Sequence, residues 1–335
     1  MITNYILWGV KMSFYKLILK LFFVSLFSFS FSNIALSSDY PNKPINVMVG
    51  YSAGGGTDSY ARTLSSFIHE HLGMPFMITN KPGASGMIAA KAVADAKSDG
   101  YRLYVMAPGP FFIKDVLDGD KAKVKPLEVF RPLGTIGVLN TSIMVPMDSP
   151  FKTANELVKY SKDNPDKVLR WANTGNASLH SLGGHAFLQA NGIKAQTIPH
   201  KGGSKARLSV ISKQVDYGFV GIQLLAGFET KMRPLGALGN KRDPNYPNVP
   251  TVEELGLPPM GIANPMMVWA KKDIPEDAAQ KLIVAIKKVA ESKGFKKLIK
   301  KLGLSAIYAS PEESMKLLND LGKEVTPVAK RVFNK

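Results

Sequence analysis

The sequence predicts an α/β fold with two α/β domains and a ligand cleft between them, on three observations. Apolar strand-length runs alternate with helical stripes at about 30 residues per unit. Loops containing glycine or serine follow the strands, and the strand, loop and helix unit occurs twice in each half of the chain.

The first unit sets the pattern. Ile45, Val47, Met48 and Val49 form an apolar strand, Gly54, Gly55 and Gly56 break it, and a helix begins. Ala61, Leu64, Ile68 and Leu72 recur at three- and four-residue spacing, with Thr57 or Asp58 placed as N-cap and Gly73 as C-cap. Glycine admits a ligand close to the backbone, and the first N–H groups of a helix lack intrahelical partners, so this geometry suits an anion. A plain structural turn is the alternative reading. The run lacks the Gly-Lys-Ser/Thr ending of a phosphate loop and does not fit G-x-G-x-x-G, so neither nucleotide motif is present.

Residues 75–79 then predict a second strand, 80–86 a second glycine loop, 87–96 an alanine-rich helix with Ile88 and Val93, and 101–106 a third strand. This rhythm argues for a parallel sheet. Residues 108–125 read as irregular, with Phe111 and Phe112 as core or pocket aromatics, and 129–138 resume an apolar run. After a crossing near residue 139, 142–146 form a strand, and Thr153-Ala154-Asn155-Glu156 is a capping box opening a helix with Leu157 and Tyr160. Strand 168–172, polar loop 173–178 and the stripe Leu179, Leu182 and Ala186 make the third unit. The fourth is an extended 196–199, a loop over 200–204 and a short helix over 205–212 with Leu208 and Ile211 inward, before 217–220 closes that sheet.

A capping box at Thr251-Val252-Glu253-Glu254 precedes a strand over 266–270 that returns to the first domain. Leu282, Ile283, Ile286 and Val289 form a helical stripe, and Ser310-Pro311-Glu312-Glu313 caps a last helix. The expected division is a leader over residues 1–37, a discontinuous first domain of 38–138 and 264–335, and a second domain of 139–263. Open α/β sheets bind ligands at the carboxyl ends of their strands, so two such domains facing each other line a cleft with helix N-termini.

Lys11, Lys16 and Lys20 precede an apolar run over 21–31, and Ala35 and Ser37 flank a cleavage point near Ser37/Ser38, the layout of a secretory signal peptide. The run is shorter than the roughly 20 residues a bilayer span needs. A retained anchor is the alternative, and Met12 is an alternative start to Met1. Of 335 residues, 43 are Lys or Arg and 26 Asp or Glu, a net charge of +17 that points to small anions or an acidic surface. Aromatic residues are not interleaved with the basic ones, so nucleic acid is not an expected partner. Lys287, Lys288, Lys293, Lys296, Lys297, Lys300 and Lys301 read as a solvated helix face. The absence of cysteine excludes disulfides, thiolate metal sites, a cysteine nucleophile and a lipidated N-terminal cysteine, so a free, soluble mature chain is expected. His69 with His71 and His180 with His185 lack metal-ligand spacing, no G-x-S-x-G elbow occurs, and no cofactor is expected.

Several segments in order resemble one family. They are Tyr40-Pro41-Asn42-Lys43-Pro44-Ile45 with Gly54-Gly55-Gly56-Thr57-Asp58, Asn80-Lys81-Pro82-Gly83-Ala84 with Gly86, and Asp99-Gly100-Tyr101. Thr153-Ala154-Asn155-Glu156-Leu157, Gly175 with Ser178 and His180, Gly202-Gly203, Gln214-Val215-Asp216 and Pro247-Asn248-Val249-Pro250-Thr251 with Glu254 and Gly256 continue the match. Together they resemble the substrate-binding proteins of tripartite tricarboxylate transporters, the Bug family. The resemblance implies a periplasmic binding protein of the type II-like fold, monomeric and not an enzyme. Such a protein closes on a small carboxylate and delivers it to the membrane permease subunits of a tripartite transporter. Two alternatives remain, a sensor component docking on a membrane kinase and an enzyme whose base would be His180 or Asp58. The chain departs from the family pattern at Gly50-Tyr51-Ser52-Ala53, where the family usually has Pro-Phe-Pro-Pro, and at Ser85, where it usually has glycine. The identity of the carboxylate is therefore not carried over.

The candidate ligand-binding residues follow. Gly54, Gly55, Gly56 and Thr57 offer backbone N–H groups and one hydroxyl, bordered by Tyr51 and Ala53. Asp58 repels an anion and reads as an N-cap, unless the ligand carries an amino group. Ala84, Ser85 and Gly86 face the same cleft unless they are a plain turn, Thr174, Gly175 and Ser178 form the opposing loop with Ser178 equally explained as a cap, and His180 and Lys201 either supply positive charge or are a structural histidine and a solvated lysine.

Overall fold

The computed structural model describes residues 40–259, 262 and 264–334. The leader with its cleavage point near Ser38, and the expected domain limit at residue 263, lie outside the described residues. The elements β1 (Ile45–Val49), α1 (Gly56–Leu72), β2 (Phe76–Asn80), α2 (Met87–Ala94) and β3 (Arg102–Met106) are followed by α3 (Gly109–Asp118), α4 (Pro126–Val129) and β4 (Phe130–Leu139). Next come β5 (Thr141–Pro146), α5 (Ala154–Asp163), β6 (Leu169–Asn173), α6 (Leu179–Ala190), β7 (Ala195–Pro199), α7 (Gly203–Ile211), β8 (Tyr217–Gly221) and β9 (Met232–Ala237). β10 (Asn264–Lys271), α8 (Glu276–Glu291), α9 (Lys293–Lys301) and α10 (Pro311–Phe333) complete the order.

Two five-stranded sheets result, β2-β1-β3-β10-β4 and β7-β6-β8-β5-β9. β1 is parallel to β2 and β3, with Val47 opposite Ile78 and Leu103, and β6 is parallel to β7 and β8. β10 runs antiparallel to β3 and β4, as β5 does to β8 and β9. Both sheets are therefore mixed rather than parallel. The βαβ rhythm reports only the crossover units, whereas β4, β5, β9 and β10 lie outside them.

Side chains alternate across β8, so Tyr217 and Phe219 join Trp171, Phe187 and Leu235 on one face while Val220 joins Met144, Val210 and Ile222 on the other. In the first sheet, Met48, Tyr104, Met106 and Trp269 gather with Val93 and Phe111. The C-terminal helix ties the halves together, because Leu321, Val325 and Ala329 of α10 pack with Ile113 of α3 and Leu179 and Leu182 of α6. The chain passes between sheets at Leu139–Thr141, beside the buried Tyr60. The Tyr60 hydroxyl donates to the Ser305 carbonyl at 2.7 Å and accepts from the Val138 N–H at 3.2 Å.

Several elements differ from the sequence reading. Residues 109–118 are helical, not irregular. Gly109 and Pro110 open that helix, and burial of Phe111 and Ile113 holds it despite the flanking glycines and proline. Strand β9 was not expected from a run containing Pro234 and Gly236; it is an edge strand, where proline is tolerated. β8 lies at the middle of its sheet rather than closing it. In α7 the inward face is Ala206, Ser209 and Val210, and Leu208 is 51% exposed. Gly55, not Thr57 or Asp58, is the N-cap of α1, while Gly73 takes the left-handed C-cap conformation at φ 75°. The Thr251 and Glu254 box closes reciprocally but over a turn. At α5 the Thr153 hydroxyl accepts from Glu156 N–H, and the Glu156 carboxylate reaches the Lys152 N–H instead.

The Ser310 capping box is complete, with Glu313 N–H donating to Ser310 Oγ at 3.2 Å and Ser310 N–H to Glu313 Oε2 at 2.7 Å. Ser310→Ala is expected to cost ~1 kcal/mol. Urea unfolding followed by circular dichroism checks this; an unchanged midpoint would show that packing alone holds the start of α10.

Candidate functional site

The glycine and serine loops stand at the carboxyl ends of parallel strands, where β1 feeds α1, β2 feeds α2, β6 feeds α6 and β7 feeds α7. Three of these helices point their N-termini at one small cavity of about 30 Å3. Gly55, Gly56 and Thr57 bring α1 to it, Ser178, Leu179 and His180 bring α6, and Gly203 brings α7. Gly55 and Gly202 cap their helices without a side chain, leaving first-turn N–H groups free of side-chain partners. Ser178 does cap α6, its hydroxyl accepting from Ser181 N–H at 3.1 Å.

The loops of the two sheets meet directly. Lys201 carbonyl accepts from both Ser52 N–H and Ser52 Oγ at 2.9 Å. Ser204 Oγ donates to Ala53 carbonyl at 2.7 Å, and Ala177 N–H donates to Ser85 Oγ at 3.0 Å. Ala84 and Ser85 hold left-handed backbone at φ 48° and 54°, where glycine is most at ease. Ser85 thus occupies a strained position from which its hydroxyl spans the cleft.

Tyr51 and Thr174 separate the inner cavity from an outer pocket of about 350 Å3 lined by Ala84, Ser85, Lys114, Gly175, Asn176 and Lys201. Tyr51 is half-buried with its hydroxyl desolvated, which pushes the phenol pKa well up; the nearby Thr174 hydroxyl offsets this in part. Beyond this contact with the Tyr51 phenol, the buried Thr174 Oγ1 has no well-formed hydrogen bond. His180 Nδ1 lies 2.7 Å from Thr141 Oγ1, and burial pushes its pKa down to about 4, so the ring is neutral near pH 7.

The sequence candidates therefore separate by place. Tyr51, Gly55, Gly56, Thr57, Thr174, Ser178 and His180 line the inner cavity, and Ala84, Ser85, Gly175 and Lys201 the outer pocket. Ala53 and Gly54 stand at the contact with Ser204, and Gly86 is buried beneath its loop with its carbonyl accepting from Tyr104 Oη at 3.0 Å. Asp58 lines neither space. Its carboxylate accepts from Gly54 N–H, Arg62 Nε and Asn80 Nδ2, all within 3.0 Å, so it braces the glycine loop rather than capping α1.

Gln223 and Asn264 also line the cavity and were not anticipated. Gln223 follows the end of β8, so the strand-end rule reaches it once β8 is recognised as central. Asn264 opens β10 opposite Leu139, a pairing that no sequence spacing announces. A more voluminous groove, about 890 Å3, runs between α2, α3 and residues 119–128. Lys91–Asp95 and Lys114–Asp118 pairs already occupy its walls, and among the described residues no buried unpaired polar atom lies on it. Among the described residues no helix is long and apolar enough to cross a membrane.

Residues 60–332 match the model of the tripartite tricarboxylate transporter family receptor, TctC. The UPF0065 protein in the gbd 5'region of Cupriavidus necator is 28% identical over 283 residues, covering 83% of this chain and 84% of that protein. The solved structure of the periplasmic binding protein BugD is 28% identical with a TM-score of 0.81, covering 88% of this chain and 98% of that one. MatC from Rhodopseudomonas palustris, solved with bound malate, is 25% identical with a TM-score of 0.80, covering 87% and 100%.

The double variant Ser52→Ala with Ser85→Ala deletes two hydroxyl bridges, each worth ~0.5–1.5 kcal/mol net. Small-angle scattering in ligand-free buffer should show a larger radius of gyration than wild type, and an identical profile would mean other contacts hold the loops together. His180 gives a pH prediction. Its folded pKa is depressed below the unfolded value near 6.5, so its contribution is complete above that pH and is lost as pH falls toward 4. Thermal midpoints should decline over that window, less steeply for His180→Gln; equal slopes would assign the decline to other groups.

Proposed function

Because the chain belongs to the tripartite tricarboxylate transporter receptor family, we propose that it is an extracytoplasmic solute-binding protein that captures a small carboxylate in the cleft and delivers it to the membrane subunits of such a transporter. The observation that carries this reading is the convergence of three helix N-termini on one cavity, two of them without side-chain caps. Free N–H groups and the positive ends of helix dipoles favour an anion, and exclusion of water by closure strengthens those bonds. Malate in the related MatC supports a carboxylate. In this reading Gly55, Gly56 and Thr57 hold the anion from one side, and Thr174, Ser178 and His180 from the other. Ser85, Gly175 and Lys201 border its entrance. The protein binds rather than catalyses, since His180 is neutral and committed to Thr141. It acts as a periplasmic monomer after cleavage near Ser38, with domain limits at residues 139 and 264.

Mature protein from a periplasmic extract, with an intact mass starting near Ser38, should gain thermal stability from mono-, di- or tricarboxylates. Ligand at 100 times its Kd adds about 2.7 kcal/mol. A side chain at Gly56 would place its Cβ 2.6 Å from Gln223 Nε2 and 2.8 Å from Leu139 Cδ2, whereas at Gly55 the nearest atom, Gly203 N, is 3.4 Å away. Gly56→Val should therefore abolish binding while circular dichroism remains native. Stabilisation by sugars or nucleotides alone would sink the carboxylate reading, as would normal binding by the folded variant.

A further inference from the structure

The inner cavity carries information about the rest of the ligand. Thr174, Gln223 and Asn264 line it, each more than nine-tenths buried, and each keeps a polar atom without a hydrogen-bond partner: Oγ1, Oε1 and Oδ1. The large majority of buried polar atoms in folded proteins are paired, so three unpaired ones around a single cavity mark positions that a bound molecule's groups satisfy. In the orientation present, the unpaired end of each amide is its carbonyl oxygen, which accepts.

Charge narrows the class further. Among the described residues no Lys, Arg, Asp or Glu lines the cavity. Burial keeps His180 neutral. A second carboxylate beside Gln223 and Asn264 would be buried without a cation and would face two carbonyl oxygens, both unfavourable. An ammonium fares no better, because the nearby carboxylate of Asp58 is already filled by Gly54, Arg62 and Asn80. The remaining walls, among them Pro110, Leu139, Leu179 and Leu224, are apolar. As the loops stand, about 30 Å3 holds one or two waters, so an acid enters only as the loops part, and a compact one disturbs them least.

We propose that this site takes a small monocarboxylate bearing one uncharged hydrogen-bond donor, the hydroxy-acid class, with its hydroxyl donating to Gln223 or Asn264. The inference rests on the carboxylate reading of the same cleft and adds that the end away from the carboxylate is neutral and donating. A dicarboxylate would have to carry its second charge past Tyr51, which lines both spaces, to reach Lys201 at the outer pocket.

Calorimetry on the mature protein with glycolate, lactate and 3-hydroxybutyrate, against acetate, propionate and butyrate and against malonate and succinate, tests it. Hydroxy acids should bind at least about tenfold tighter than their deoxy counterparts, the size expected from one buried hydrogen bond, and tighter than the dicarboxylates. Gln223→Met and Asn264→Leu remove the acceptors with little change in volume. At least one should lower the hydroxyl preference by about tenfold, with a ligand-free thermal midpoint equal to or above wild type, because an unpaired buried acceptor has been removed. Tighter binding of dicarboxylates, or a hydroxyl preference intact in both variants, overturns this inference alone. Failure of every carboxylate to bind overturns the underlying carboxylate reading and this inference with it.

Discussion

The cleft depends on helix starts that nothing in their own sequence caps. Where Ser178 accepts from Ser181 N–H, the N-terminus of α6 is partly satisfied from within. Gly55 and Gly202 offer no such group, so α1 and α7 arrive at the cavity with first-turn N–H groups that only water, a ligand or a neighbour can meet. The glycines matter for a second reason. A Cβ at Gly56 would run into Gln223 and Leu139, so the loop's lack of side chains lets parts of the two sheets close to this distance at all.

That loop is held from behind. Asp58, Arg62 and Asn80 form a bonded group that ties the end of the β1 loop to the end of β2, with Asn80 Nδ2 also donating to the Tyr51 carbonyl at 3.0 Å. A residue that would repel an anionic ligand from within the cavity is useful behind it. The buried Tyr60 does related work at the passage between sheets by joining Val138 to Ser305. The unbraced link between the two sheets is short, Leu139–Thr141, the kind of segment in which hinge motion concentrates in two-domain proteins.

Ser52 and Ser85 are two of the positions, with Gly50, Tyr51 and Ala53, at which the sequence departs from the expected family pattern, and both place hydroxyls across the cleft. Ser85 does so from a left-handed backbone, a conformation glycine adopts most readily. Strain on one side of the cleft is balanced by a hydrogen bond from the other. Ser85 also borders the outer pocket, so the contact between the loops stands at its wall.

Much of this was legible in the chain. Strand-length apolar runs, helical stripes, the Ser310 box and the Gly73 cap are local patterns, set by side-chain period and backbone preference over a few residues, and they located the four strand, loop and helix units, three of which build the inner cavity while the fourth borders the outer pocket. The Tyr51, Gly55, Thr57, Thr174 and His180 positions followed from those units, because a strand end fixes where its loop must be. Tertiary structure decided what local pattern does not encode. The antiparallel strands β5 and β10, the helix at Gly109–Asp118 and the outward turn of Leu208 depend on which face finds a partner. Asp58 brings together residues 54, 62 and 80, and Gln223 and Asn264 meet the first glycine loop from far along the chain. A period of two or 3.6 residues says which way a side chain points from its own element. Only the packing of elements distant in sequence says what it meets there.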